Sequence, residues 1–419
     1  MPVIEVEPGD DHADLTSHDT FVAGVPYATF DRLRREDPVS WWEEGDGSGF
    51  WALTRYQDVV TASRRPEVFS SARGIRLEDM DEEELQARRT LMEMDPPEHT
   101  RYRRLVSRAF TRKSVLAYED AIRALARAIL DEVHGTPRLD FTDLVARQLP
   151  MRMLGRLLGL PEADSDWLVR RGDALIANSD PDFTDYVVDR VDTSEYRLLP
   201  FRSPVALELV GYGREAFEAR RRHPGDDLLT ALLAPMPDGE RLSDAELANF
   251  FTLLVAAGND TTRYTMAASI KALAERPRVR EELTAEPGRL DNAVEELLRW
   301  ASVTMHFRRT ATTDTELGGR SIRAGDKVVL WFVAANYDPE QFPDPYHLDP
   351  DRRPNDHVTF GLKSPHLCLG AHLARMELRV LLEELLPRVS TVELAGPPER
   401  LRSNFIAGIK HLPLEIGWK

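Results

Sequence analysis

Ser243-Asp-Ala-Glu-Leu-Ala-Asn-Phe-Phe-Thr252, continued by Leu253-Leu-Val-Ala-Ala-Gly-Asn-Asp-Thr-Thr262, is the stretch on which the fold turns. Ser243 and Glu246 stand at the spacing of a capping box, in which hydroxyl and carboxylate each satisfy a free backbone N–H at the start of a helix. No proline follows until Pro277, so the pattern predicts one helix of about 30 residues, roughly 45 Å long and able to cross a whole domain. Leu253 to Ala257 is apolar on every side, which buries the middle of that helix. Gly258-Asn-Asp-Thr-Thr262 then sets polar groups inside the buried stretch, where they need partners or a chemical task.

Around this helix the chain reads as mainly α with a small β-rich lobe. Helical periodicity runs through residues 26–35, 56–64, 100–132, 143–158, 205–222, 291–300 and 369–386. Strand signals are few: Gly49 to Thr54 after a Gly-rich turn, then Ile322 and Lys327 to Phe332. A Pro- and Asp-rich meander follows from Asn336 to Asn355. Residues 1–20 are acidic and unpatterned and are expected to be flexible, with residues 21–419 forming a single domain, since no linker separates two cores.

Composition narrows the function. The chain has 419 residues with 54 Lys and Arg against 71 Asp and Glu, a net charge of −17, which argues against nucleic acid or an anionic membrane surface as partner. No run approaches the roughly 18 apolar residues of a spanning helix, and no basic-then-apolar leader opens the chain, so a cytoplasmic protein is expected. Its one cysteine, Cys368, excludes an internal disulfide and any multi-cysteine metal site. It precedes a helix, where backbone N–H groups and the helix dipole favour a thiolate. A packed thiol, a nucleophile and a lone metal ligand all remain open at this point.

Four short motifs decide among them. They are His99-Thr-Arg-Tyr-Arg103, Ala257-Gly-Asn-Asp-Thr-Thr262, Glu296-Leu-Leu-Arg299 and Phe360-Gly-Leu-Lys-Ser-Pro-His-Leu-Cys-Leu-Gly370. In this order and spacing the chain, from about residue 20 onward, resembles the cytochrome P450 family of haem-thiolate monooxygenases. The resemblance implies the P450 fold, haem b as cofactor, and Cys368 as the thiolate ligand of its iron. Phe360 and Gly370 flank that ligand in the haem loop. His99, Arg103, Arg309, His357 and His366 are expected around the haem propionates, with Arg308 an alternative to Arg309. Asp260 and Thr261 match the acid and alcohol that deliver protons during dioxygen activation, and Ala257 and Gly258 leave room beside them. Glu296, Arg299 and Arg352 match a structural ion-pair network.

Within the family, Met94-Asp-Pro-Pro-Glu-His-Thr-Arg101, Leu330-Trp-Phe-Val-Ala-Ala-Asn336 and Arg353-Pro-Asn-Asp-His357 are similar to the bacterial branch that hydroxylates sterol side chains and methyl-branched lipids. Two departures stand out. Leu362, Lys363 and Ser364 replace glycines in the haem loop, Ser364 at the family's usual glycine four residues before the cysteine, which predicts a reshaped loop. Val303, Thr304 and His306 fall in a pocket-lining segment where a proline is common, hinting at a different or more polar substrate. The segments 75–94 and 176–203 are expected to supply a loop over the haem and a lid; the second carries Asp180, Asp182, Asp185, Asp189, Arg190 and Arg197.

The implied reaction is hydroxylation of a small hydrophobic molecule. Its electrons are expected from a ferredoxin and a ferredoxin reductase, because no flavin or nicotinamide fingerprint is fused to the chain. The partner would dock on a basic patch including Arg103, Arg104, Arg112, Lys113 and Lys363, and the protein is expected to be a monomer. The alternative is a tailoring oxidase of an aromatic or terpenoid natural product. A haem sensor without turnover is disfavoured by Asp260 and Thr261.

Overall fold

The long helix anticipated from Ser243 runs over Asp244–Ala274 and begins with the full capping box, Ser243 Oγ accepting from Glu246 N at 3.3 Å and Ser243 N donating to Glu246 Oε2 at 2.7 Å. The computed structural model describes residues 11–45, 47–236, 238–361 and 363–419. Its principal helices are α1 (Tyr27–Glu36), α2 (Tyr56–Ser63), α3 (Glu82–Arg88), α4 (Glu98–Ser107), α5 (Glu119–Val133), α6 (Gln148–Leu158), α7 (Ser165–Ile176), α8 (Val205–Arg222), α9 (Asp244–Ala274), α10 (Leu290–Ala301) and α11 (Ala371–Leu385).

Helix α9 is the axis of the molecule, packed by α6, α7, α8 and α10. Being covered on all sides, it has no polar face to present, which is why its sequence lacks amphipathic periodicity. Close approach of α8 needs Gly213: a Cβ there would meet the Phe251 ring at 2.9 Å. The outer helices are one-sided. In α5, Ile122, Leu125, Ala126, Ile129, Leu130 and Val133 are buried, and that stripe lies against α11.

The β-rich lobe is a five-stranded sheet formed by β1 (Val39–Glu43), β2 (Gly49–Leu53), β3 (Phe69–Ser70), β5 (His306–Ala311) and β6 (Lys327–Trp331), ordered β1-β2-β6-β5-β3. Strand β2 pairs in parallel with β6, Phe50 facing Lys327, and β5 pairs antiparallel to β6, His306 facing Trp331. A second sheet joins β4 (Arg138–Asp140), β7 (Val389–Leu394) and β8 (Pro413–Trp418), with β8 in the centre.

Residues 11–20 are not the loose segment their sequence suggested. Leu15 is fully buried, Asn404 N donates to His18 Nδ1 at 3.1 Å, and Asp19 accepts two hydrogen bonds from Arg402 at 2.6 and 2.9 Å. Unpatterned sequence follows here because the segment is held by single anchors and not by a repeating face. The first half of the expected flexible region, residues 1–10, lies outside the described residues, as does Leu362.

Candidate active site

Cys368 sits between the loop 360–370 and the first turn of α11. Its N–H donates to Phe360 O at 2.8 Å, and Ala371 N donates to Cys368 O at 3.3 Å, which closes the loop on itself. The thiol surface is accessible although the residue lies deep in the molecule. Burial pushes its pKa up, while the backbone N–H of Gly370 and the charges of Arg103 and Arg375 pull the other way. The departure at Ser364 is absorbed locally. The left-handed positions of the described loop are Gly361, with φ of 73°, and Lys363, with φ of 55°. Ser364 takes an ordinary conformation and its Oγ accepts from His366 N at 3.1 Å, so a side-chain hydrogen bond holds the turn where a glycine is usual.

Four cationic or protonatable groups converge beside this loop. His99, from α4, lies 4.2 Å from His366 between ring centroids and is 1% exposed, yet neither of its ring nitrogens has a hydrogen-bond partner. Burial and Arg103 lower its pKa to about 4, and burial with Arg309, His99 and Arg103 lowers that of His366 to about 2. Arg309 is buried on β5, donates to Arg308 O at 2.8 Å, and has no carboxylate bonded to it among the described residues; burial lowers its pKa to about 10. Arg103 donates to Leu367 O at 2.6 Å and likewise pairs with no carboxylate there. Uncompensated buried cations and orphaned ring nitrogens are costly unless an anionic ligand completes them. The donor set and the accessible thiol therefore fit a haem, with Cys368 on the iron and His99, Arg103, Arg309 and His366 available to its carboxylates. Arg308 is not a substitute for Arg309, since it donates to Asp79 Oδ1 at 2.8 Å and to Glu78 O at 3.1 Å.

The polar cluster of α9 divides in two. Ala257 and Thr261 face an apolar cavity shared with Leu253, Ala256, Thr304 and Phe405. Thr261 Oγ1 donates to Ala257 O at 3.0 Å, which leaves its lone pairs open to the cavity. Asp260 is fully buried; its Oδ1 accepts from Arg263 and Asn259, each at 3.0 Å, and its Oδ2 accepts no hydrogen bond. Arg263 also donates to Asp173 of α7 at 2.6 Å, and Arg147 pairs with the other oxygen of Asp173 at 2.7 Å. Burial raises the Asp260 pKa against the pull of Arg263, and the negative charge of Asp173 raises it further. The carboxyl is thereby able to hold a proton near neutral pH.

The structural network is complete. Arg299 donates to both oxygens of Glu296 at 2.8 Å, and Arg352 Nε donates to them at 3.2 and 3.1 Å, all three side chains being buried. Arg299 and Arg352 also cap five carbonyls of the meander, including Asn336 O at 2.8 Å and Pro343 O at 2.8 Å.

The cytochrome P450 family model matches residues 201–411. The chain is 38% identical to a methyl-branched lipid omega-hydroxylase of Mycobacterium tuberculosis over 99% of its own length and 95% of that protein. The chain belongs to the cytochrome P450 family. It is 34% identical to a steroid C26-monooxygenase of Mycolicibacterium smegmatis over 98% of this chain and 94% of that one. Among solved structures it resembles a cytochrome P450 of Mycobacterium marinum in complex with pseudoionone, at 40% identity and a TM-score of 0.87, covering 98% of this chain and 99% of that one. The P450 fold, monooxygenase activity and the likeness to the lipid and sterol hydroxylase branch follow.

Within this P450 several expected positions need correction. His357 is bonded at one nitrogen only: its Nε2 bonds Glu295 at 3.1 Å, and Glu295 is held by Arg375 at 2.6 and 2.8 Å, while its Nδ1 is buried without a partner. Gly258 faces α6, where a Cβ would meet Leu154 at 3.0 Å, so its smallness serves helix packing. Val303 and His306 do not line the cavity. Val303 packs with Tyr264, Leu401 and Phe405, and His306 lies edge-on to Trp331 and Phe405. Only Thr304 of the three reaches the cavity. The charged lid residues are paired within the protein: Asp180 and Asp182 with Lys410, Asp189 with Arg402, and Arg197 with Asp81 and Glu83.

Sequence reading missed Arg76, Glu78, Arg88 and Phe201 as cavity residues. Their one signal was placement inside the two expected variable segments. It also missed Asp173, whose burial beneath Arg263 depends on how α7 crosses α9.

Proposed function

We propose that residues 21–419 act as one haem-binding domain that hydroxylates a hydrophobic molecule, with Cys368 as the ligand of haem b iron. One observation carries the reading: an accessible thiol beside His99, Arg103, Arg309 and His366, in a molecule whose α9 presents Ala257 and Thr261 to an apolar cavity. Haem b bound in this way supplies dioxygen binding and the oxidising power to convert R–H, O2, two electrons and two protons into R–OH and water. The protein's part is positional and protic. Thr261 offers an oxygen that accepts and relays a hydrogen bond inside the cavity. Asp260, raised in pKa and anchored by Arg263, holds the proton behind it. Ala256, Ala257, Leu253 and Phe405 exclude water and orient an apolar substrate.

The electrons are supplied by NAD(P)H through a ferredoxin reductase and a ferredoxin. Arg104, Arg112, Lys113 and Lys363 are exposed and pair with no carboxylate among the described residues, which supports a basic docking face near the thiolate despite the chain's net charge of −17. Reversing two of them to Glu should raise the ferredoxin Kd; an unchanged Kd removes this face from the reading.

The deciding experiment is the difference spectrum of the reduced protein with and without CO. A Soret band typical of thiolate ligation, lost in Cys368→Ala, is expected. A histidine-type band, or no haem uptake under haem-replete expression, overturns the assignment.

A further inference from the structure

Two guanidinium groups line the same cavity as Thr261, and neither has partners adequate to its charge. Arg76 Nε lies 3.6 Å from Glu78 Oε1, and its Nη2 reaches Asn178 Oδ1 at 3.4 Å, both at the long limit of a hydrogen bond. Its guanidinium lies over the rings of Phe201 and Phe405, 5.6 and 5.1 Å from their centroids. Arg88, at the end of α3, has Glu84 at 3.9 Å, but Glu84 is already taken by Arg202 at 2.7 Å. Burial lowers the pKa of Arg88, as expected of a guanidinium short of anions.

The carboxylates at this end of the cavity are engaged in other ways. Burial opposes ionisation of Glu78, but Arg76 foremost, with His18 and Arg88, brings its pKa to about 2, so it carries one negative charge. Glu93 is pushed up by burial and is spent on its own cap, accepting from Thr90 N at 3.1 Å and Thr90 Oγ1 at 2.6 Å. Neither guanidinium has a carboxylate within ordinary hydrogen-bond distance, Arg76 standing 3.6 Å from Glu78 and Arg88 3.9 Å from Glu84, so both keep N–H donors open on the cavity wall. Arg has five N–H donors in a fork that matches a carboxylate.

We infer that the substrate is a monocarboxylate with an apolar body, its carboxylate held by Arg76 and Arg88 between Phe201 and Phe405. The apolar body lies along Leu253, Ala256 and Ala257, beside Thr261. This deepens the hydroxylase reading and rests on it. A carboxylate supplies the acceptors that the two guanidinium forks lack, and a neutral ester leaves them unsatisfied.

The test titrates the holoenzyme with citronellic acid and isopalmitic acid, each against its methyl ester, followed by Soret shift and by calorimetry. The acids should bind about tenfold or more tightly than their esters, as expected of hydrogen bonds to a charged group. Arg76→Gln should erase the difference while leaving ester binding within about twofold, and Arg76→Lys should keep part of it. Glu78→Gln, which removes the competing anion, should tighten the acids. Esters binding as well as the acids, binding by neither, or equal losses for acid and ester in Arg76→Gln overturn the inference. The CO spectrum of the same sample separates the two readings: a thiolate band with no discrimination between acid and ester sinks the anion site alone. The wild-type calorimetric comparison decides the anion site whatever the variants' folding or the haem ligation.

Discussion

Thr261 and Asp260 are neighbours in sequence and both border the cavity, but Thr261 is partly exposed while Asp260 is fully buried and tied to Arg263. That division sets two expectations. Asp260→Asn keeps the contact with Arg263 but cannot supply a proton, so turnover should fall about 100-fold with the CO spectrum unchanged. Thr261→Ala should instead lower product formed per reducing equivalent, read from matched NADH and product assays. His306 shows the opposite case of a titratable residue with no catalytic place. Burial lowers its pKa from 6.5 to about 3, and neither ring nitrogen is bonded. The unfolded chain therefore binds a proton that the folded chain refuses. This contribution to stability is intact above pH 6.5 and is lost as pH falls toward 3, at most about 1.4 kcal/mol per pH unit. Denaturant titrations of His306→Phe between pH 7 and pH 4 should show a shallower acid limb than the wild type.

Among elements, α9 and its neighbours carry the most tightly specified contacts. Gly213 lets α8 approach Phe251, so Gly213→Ala should cost about 1–3 kcal/mol by overpacking, measurable as a lower urea midpoint. The ion-pair network joins α10 to the meander. Removing its single anion by Glu296→Ala leaves Arg299 and Arg352 buried and unpaired, and should cost about 3–5 kcal/mol with loss of haem retention. Most of the long helices were legible because apolar periodicity, caps and prolines are local features, whereas α3 and α7 fall in segments the sequence did not read as helix. The angle at which α7 crosses α9, and with it the pairing of Asp173 with Arg263, has no local signature.

At the scale of the molecule, Arg402 ties together segments far apart in the chain. It holds Asp19, Asp189 and Ser179 O, joining the N-terminal segment and the lid to a loop near the C-terminus. Arg402→Ala should release both, seen as faster limited proteolysis within residues 11–23 and 180–193 at unchanged haem content. The direction of the lid's acidic residues was open in the sequence, because spacing on a loop says nothing about it. In the folded molecule they are consumed by Arg402 and Lys410, and the cavity charge comes from Arg76, Arg88 and Glu78.

The sequence by itself determined the family, the candidate thiolate Cys368, the long central helix and the Glu296–Arg299 pair, because each rests on residue types at short, fixed spacings. Tertiary structure alone decided which of the basic residues face the haem loop, that His357 Nε2 meets Glu295, that Gly258 packs on Leu154, and that two guanidinium groups face the cavity. The physical reason is the same each time. Charge balance and burial are sums over groups brought together by folding, and no segment of the chain contains all the terms of its own sum.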